Sequence, residues 1–538
     1  MDKNTLYYGD NLFIMTQRME GKFVDLIYLD PPFKSDQNYN LIYRTLTGKP
    51  VPEQAEAFCD TWDMDAEKRE LAKRIPQMMR DTGVPDHYIH FWNFWVNALQ
   101  DVQAPLMAYL IYMVERLIWM KPVLKNNGSI YLHCDPTASH YIKVMMDGIF
   151  GHQNFRNEII WKRTSAHSSA KRYGPVHDVI LFYSMSDKFT WNAQYQPHDP
   201  SYIASHYRNA TADGRKYTLS DLTAAGVRHG SSGKPWRGFD PTAKGNHWKF
   251  TLENLERLDT EGRIYWSKRD GSWPRYIRFL DEVKGTAIQD IWTDISPVNA
   301  MARDRLGYPT QKPVELLKRI ICSSTNPGEV VFDPFCGCGT TIYAAQETGR
   351  KWVGCDVAIL AVKIIRETLE AKYKLVEGVD LVVDGIPASV EGAEELCKRD
   401  KHQFQHWAVE RVGGFPLKKK GADKGIDGRI YFDAHPGLKC MVLSVKGGHT
   451  GPSDVRDLAG VVSAEPDAEM GGFICLQKPT KAMFDAAAKS GTYTYQGVEY
   501  PRIQILSIDE IMAAKREFKT PSKVGSKIGV GQSALPIG

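Results

Sequence analysis

Short apolar runs that end on a carboxylate recur in the first third of this chain. Phe23–Asp30, "FVDLIYLD", and Gly128–Asp135, "GSIYLHCD", have the length and continuity of strands buried on both faces. Between them, Met107–Lys125 carries apolar residues at helical spacing and stops before "NNG". His140–Gly151 reads as a further helix and His177–Asp187 as a further strand. Strands alternating with helices predict an α/β fold with a largely parallel sheet.

From Lys188 to Val298 the periodicity fades. Trp, Tyr, Arg, Gly and Pro crowd together, as in "GKPWRGFDPTAKGNHWKF". The stretch predicts an irregular insertion between two halves of a fold. Its interleaved aromatic and basic residues also suit stacking on bases and pairing with phosphates. The alternating pattern then resumes. "YPTQKPVELLKRIICSST" predicts a helix, "GEVVFDPFCGCGTTIYAAQETG" a strand, Gly-rich turn and helix, and "RKWVGCDVAILAVKIIRETLEAKY" a strand, acid and helix. The expected divisions are 1–187 and 299–374 as two halves of one domain, and 188–298 as the insertion. A connector over 375–392, a second compact domain over 393–516 and a mobile tail over 517–538 complete the chain.

Composition narrows the class only slightly. The 538 residues exceed one ordinary core, and 43% hydrophobic with 25% charged residues is usual for a globular protein. The nine cysteines include no CxxC pair, which argues against a zinc site. No run is apolar enough to span a bilayer, so a cytoplasmic location is expected. A net charge of +4 does not by itself indicate a nucleic-acid partner. On charge alone the basic clusters "WKRTSAHSSAKRYG" and "LKKKGADKG" are read as solvated loops.

Two stretches carry candidate chemistry. In "VVFDPFCGCGTT" a strand ends at Asp333, and Gly337 and Gly339 precede a helix. Glycines permit a tight turn and close approach of a ligand, and the helix start offers unpaired N–H groups. The next strand ends in Asp356, near the ~20-residue spacing at which an acid reaches ribose hydroxyls. No phosphate-cradling Lys follows the glycines. Together these point to an adenosine-bearing ligand. The second stretch, "YLDPPF", places the acceptor Asp30 before Pro31 and Pro32, which lack N–H groups, and the flat ring of Phe33. It reads as a rigid, acceptor-rich cup for an amino group.

With "DPPF" first and "FCGCGTT" last, the first ~374 residues resemble the beta group of amino-methylating DNA methyltransferases. "LYYGDNL", "GSIYLHCDPTASHYIK", "NFRNEIIWKR", "HDVILFYS" and "YPTQKPVELL" extend the resemblance in order. It implies a Rossmann-like, S-adenosylmethionine-dependent sheet with permuted motif order and a target-recognition insertion. It also implies double-stranded DNA as partner, base flipping, and Asp30, Pro31, Pro32 and Phe33 as catalytic and base-binding residues. Asp333, Phe335, Gly337, Gly339, Thr340 and Asp356 would line the cofactor site. Asp10 would lie near the cofactor's adenine, and Thr310 and Lys312 near its methionine end. "DPP" favours adenine N6 as target, with cytosine N4 as the alternative.

Gln405–Gly448 resembles the Mrr-like branch of nucleases with the restriction-endonuclease fold, a second α/β domain. Glu410, Asp427 and Lys446 take its three functional places, and Asp427 would hold Mg²⁺. Ser444 stands where the pattern has Glu or Gln. A Mg²⁺-dependent endonuclease in restriction–modification and a non-cleaving DNA-binding or assembly module are both consistent with these residues. A homodimer or a restriction–modification partner is expected on the same ground.

Overall fold

The computed structural model describes residues 3–32, 38–41, 55–59, 62–164, 173–269, 271–298, 311–417, 425–434 and 437–521. Phe33 and Thr310 lie outside them. The chain divides into two units, one of Ala193–Gln289 and one of the remainder.

The larger unit is built on a sheet of nine strands among the described residues. In chain order these are β1 (Asn4–Tyr8), β2 (Val24–Leu29), β3 (Leu124–Cys134), β4 (Phe155–Lys162), β5 (His177–Ser184), β6 (Ile291–Trp292), β7 (Val330–Asp333), β8 (Lys351–Asp356) and β9 (Leu381–Asp384). Their spatial order is β6-β4-β5-β3-β2-β7-β8-β1-β9. The strands β3, β2, β7, β8, β1 and β9 are mutually parallel, and β5 runs against its neighbours. Every residue of β2 and β7 is buried, which explains their largely apolar runs. Four helices matter below: α1 (Asn11–Gln17), α2 (Ala104–Val123), α3 (Thr340–Glu347) and α4 (Ile359–Tyr373).

Three local expectations shift. The helix expected to run through Lys125 ends at Val123, and β3 starts at once on Leu124. Leu124 is fully buried opposite Val24, so pairing with β2 overrides the loop signal of "NNG", and the register slips between Val24 and Leu26. The helix expected over His140–Gly151 is α-helical only over Ser139–Met146 and widens into a π turn over Asp147–Gly151. The segment expected as a connector supplies β9, whose "LVVD" pairs in parallel with β1.

A second sheet lies in the C-terminal part. Its strands are β10 (Phe415–Pro416), β11 (Gly428–Ala434), β12 (Gly437–Lys446), β13 (Ala468–Cys475) and β14 (Ile503–Ser507), adjacent in that order. β10, β11 and β12 are antiparallel, and β12, β13 and β14 are parallel. Its core gathers Val442, Phe473 and Ile505 with Val455 and Leu458 of the intervening helix Pro452–Ala464. Helix α5 (Lys401–Arg411) precedes the sheet.

The unit Ala193–Gln289 holds a four-stranded antiparallel sheet. Trp236 and Trp248 are buried there with Leu222, Leu255, Leu258 and Ile264. These two aromatics form part of the unit's own core. Without long amphipathic elements, a small unit needs large rings to bury enough apolar area. Among the described residues no helix is long and apolar enough to cross a membrane.

Asp25 is the one charged residue inside β2. It accepts Lys125 Nζ on both oxygens, each at 2.9 Å, and the Val330 N–H at 2.9 Å. It thereby ties β2 to β3 and to the start of β7. Asp25→Ala is expected to lower unfolding stability by about 3 kcal/mol, since it leaves a buried N–H and a cation unpaired; chemical denaturation of the two proteins measures it.

Candidate active site

The parallel strands β2, β7, β8 and β1 all deliver their carboxyl ends to one edge of the sheet, where open α/β folds form ligand crevices. Asp30 follows β2, Asp333 closes β7, Asp356 closes β8, and Gly9 and Asp10 follow β1. One cleft is lined by Asp30, Asp333 and Asp356 together with Asp10. Pro32, Lys312, Phe335, Gly337 and Thr340 line the same cleft. Pro31 is buried, and Gly339 lies behind the surface. At φ 89° Gly339 adopts a left-handed turn into α3, and a Cβ there would come within 2.7 Å of Ile365 Cγ1. That turn and that close approach both require glycine.

The glycine turn is fastened to the acid of the next strand. Gly337 N–H donates to Asp356 Oδ2 at 2.8 Å, and Ala358 N–H donates to Oδ1 at 2.8 Å. Asp333 accepts Phe335 N–H at 2.9 Å and the Thr341 hydroxyl at 2.5 Å. Burial pushes Asp356 up to about 6 against these hydrogen bonds. Burial likewise pushes Asp333 up to about 7, with Asp30 and Asp356 adding to it. A carboxylate offers about four lone-pair sites, so Asp356 keeps acceptor capacity for a diol after binding two N–H groups.

Lys312 lines the cleft beside Asp30. Its Nζ donates to both Asp30 oxygens, at 2.8 and 2.6 Å. An ammonium thus rests on the acceptors that the cup offers to an amine. Asp10 caps α1 by accepting Leu12 N–H at 2.9 Å, and its other oxygen accepts Arg116 Nη2 at 2.7 Å. Arg116 also donates to Asn11 at 2.8 Å, and Asn11 Nδ2 donates to the Pro334 carbonyl at 2.8 Å. This chain of contacts locks the β1 end to the β7 end.

The motifs did not reveal Arg116, although an Arg beside Glu115 in an apolar helix was a visible signal. Nor did they reveal the network beneath Asp30. There the Tyr28 hydroxyl meets His133 Nδ1 at 2.9 Å, and His133 Nε2 meets Asp178 at 3.0 Å, all buried. Burial, then the nearby Asp30, holds the Tyr28 hydroxyl well above its ordinary value.

The nuclease-like residues are spread among different tasks. Asp427 is buried, and its Oδ2 accepts Val445 N–H at 2.7 Å. Lys446 ends β12, and Ser444 is buried two residues before it. Glu410 was expected beside them as a third functional group. It lines a cavity together with Ile359 at the start of α4, and burial pushes its carboxyl up to about 8. Among the described residues, no group of three or more His, Cys, Asp or Glu is placed to hold a metal ion.

A DNA methylase family model, that of the N6/N4 methyltransferases, matches residues 24–367. The chain belongs to this family. It is similar to the type II methyltransferase M.EcaI of Enterobacter cloacae, 36% identical over 259 residues, 48% of this chain and 56% of that protein. It is also similar to the StyLTI Mod subunit, a type III restriction-modification enzyme of Salmonella typhimurium, 23% identical over 66% of this chain and 52% of that protein. The chain therefore spans little more than half the length of these relatives. Among solved structures, the cytosine-N4-specific PvuII DNA methyltransferase matches 70% of this chain and 89% of its own at 12% identity and a TM-score of 0.30.

The raised acids set a pH dependence. Both folded values exceed the unfolded value of about 4, so between about pH 4 and 7 the folded chain binds protons that the unfolded chain has lost. Their contribution to stability is therefore fully present below pH 4 and falls as pH rises through 7. Asp333→Asn keeps an acceptor for Phe335 and a donor for Thr341. It is expected to raise the denaturation midpoint at pH 8 and to flatten this slope, measured by denaturant titrations at pH 5 and 8.

Proposed function

We propose that this DNA methylase transfers a methyl group from S-adenosylmethionine to the exocyclic amine of a flipped base in DNA, adenine N6 in preference to cytosine N4. The observation that carries the reading is the shared cleft of Asp30, Gly337 and Asp356. Asp356 and the glycine turn suit a ribose and an adenosyl group, by the acceptor and close-approach arguments above. S-adenosylmethionine, when bound, supplies an electrophilic methyl on a sulfonium.

The chain's own residues do the rest. The lone pair of an aromatic amine is delocalised into its ring, so the amine attacks poorly. Asp30 accepts hydrogen bonds from it and favours a pyramidal nitrogen, and it holds that nitrogen in line for displacement. The base must first leave the stack, at a cost of a few kcal/mol recovered by contacts in the pocket. In its present place Lys312 occupies the acceptors the amine needs, so it must withdraw or share Asp30 when the base enters. The unit Ala193–Gln289 is proposed to read the DNA sequence. A setting in restriction–modification is proposed from the relatives named above.

The C-terminal domain is proposed to be a non-cleaving module rather than an endonuclease. Asp427 is engaged with the backbone of its own sheet, Glu410 lines a cavity with Ile359 of α4, and Ser444 stands where the pattern has Glu or Gln.

Asp30→Ala is expected to lower methyl transfer to DNA by at least ~100-fold, in the range of lost positioned acid–base groups. S-adenosylmethionine binding should stay within a few-fold of wild type. Tritiated-methyl incorporation and calorimetry measure the two; transfer at the wild-type rate would refute the role of Asp30. Incubated with unmethylated plasmid and Mg²⁺, the wild type is expected to leave it intact. Cleavage that Asp427→Ala abolishes would instead establish the nuclease.

A further inference from the structure

Helix α5 belongs to the C-terminal part, yet it faces the loops that carry the cofactor-site acids. Glu410 at its end and Ile359 at the start of α4 line one cavity. The neighbouring Ala358 N–H is held by Asp356. Asp356 thus holds one of the unpaired N–H groups that begin this helix, and the carboxyl of Glu410 shares a cavity with the residue that bears the next. Gln403, two turns earlier, is buried against the other acid-bearing loop, and a Cβ on Gly9 would lie 3.3 Å from its Nε2. Gly9 itself donates its N–H to the Asp356 carbonyl at 2.9 Å. Just before α5, the Arg399 guanidinium stands 4.6 Å over the ring of Phe13, on the helix that Asp10 caps.

From this geometry we infer that the C-terminal domain is part of the cofactor site: Glu410 is a positioning residue that caps α4, and with Gln403 it fixes where Asp356 and Asp10 meet the adenosyl group. The inference rests on the cofactor reading proposed above. A cap of this kind needs an acceptor oxygen, not a charge. Neutral glutamine therefore satisfies it and alanine does not. The raised value of Glu410 agrees, since a carboxyl buried there is already partly neutral near pH 8. Loss of the cap frees the first turn of α4, and with it the backbone that aims Asp356. The DNA-facing acceptor Asp30 sits on β2 and is not touched.

The test compares full-length wild type, Glu410→Ala, Glu410→Gln and Gln403→Ala. S-adenosylmethionine affinity is read by calorimetry, and KM for cofactor, KM for DNA and kcat by methyl transfer. Glu410→Ala is expected to weaken cofactor binding roughly tenfold, the size of one lost helix cap. KM for DNA and kcat should stay within about twofold. Glu410→Gln should restore wild-type affinity, and Gln403→Ala should show the same selective loss at about threefold. If Glu410→Ala fails to fold, Gln403→Ala carries the test alone. Unchanged cofactor affinity, an equal loss for DNA, or a Glu410→Gln as poor as Glu410→Ala overturns the inference. A wild type that binds no S-adenosylmethionine overturns the cofactor reading itself, an outcome distinct from a wild type that binds while Glu410→Ala binds as well.

Discussion

Parallel pairing of β2, β7 and β8 is the constraint on which the rest depends. Parallel strands end at the same edge, so residues more than 300 positions apart arrive together without any contact arranged for that purpose. Val331 beside Leu26 and Asp333 beside Gly354 fix the register. A slip of one residue would turn every side chain of a strand to the opposite face. Asp25 guards against this by binding Val330 and Lys125 at once. The chemistry at the edge is thus positioned by a polar clamp within an otherwise apolar strand.

That edge gathers carboxyl groups, and gathering them has an electrostatic cost. Asp333 and Asp356 are both pushed up by burial, and each is compensated by two local hydrogen bonds rather than by a cation. Asp30 and Asp10 take the cations instead, Lys312 and Arg116. The division has a functional sense. Acids that hold N–H groups keep lone pairs for neutral hydroxyls of a ligand. The acid paired with an ammonium presents acceptors that an amine could also use.

Much of this arrangement was legible in the sequence. Largely apolar runs marked β2, β7 and β8, and their terminal acids marked the cleft. The glycines marked the tight turn into α3. Less legible was whatever depended on long-range pairing. Nothing local distinguishes "LVVD" at Leu381–Asp384 as an edge strand rather than a connector, because its strand character comes from β1. Lys312 was read from its motif, but its partner Asp30 lies 282 residues away. Glu410 shows the same effect more strongly. Its spacing before "GIDG" suited a nuclease, while in the structure it lines a cavity with Ile359 at the start of α4. The insertion's tryptophans left two readings open for a different reason. Composition cannot tell a ring that will stack on a base from one that fills a small core.

One cleft is proposed to serve both the methyl donor and the amine. A crystal structure of the protein bound to a non-reactive analogue of S-adenosylmethionine tests it most directly. The account predicts the ribose hydroxyls on Asp356 and the analogue's sulfonium-equivalent atom facing Asp30, with Lys312 drawn off at least one carboxylate oxygen. An analogue seated away from Gly337 and Asp356, or with its transferring end turned from Asp30, would contradict it.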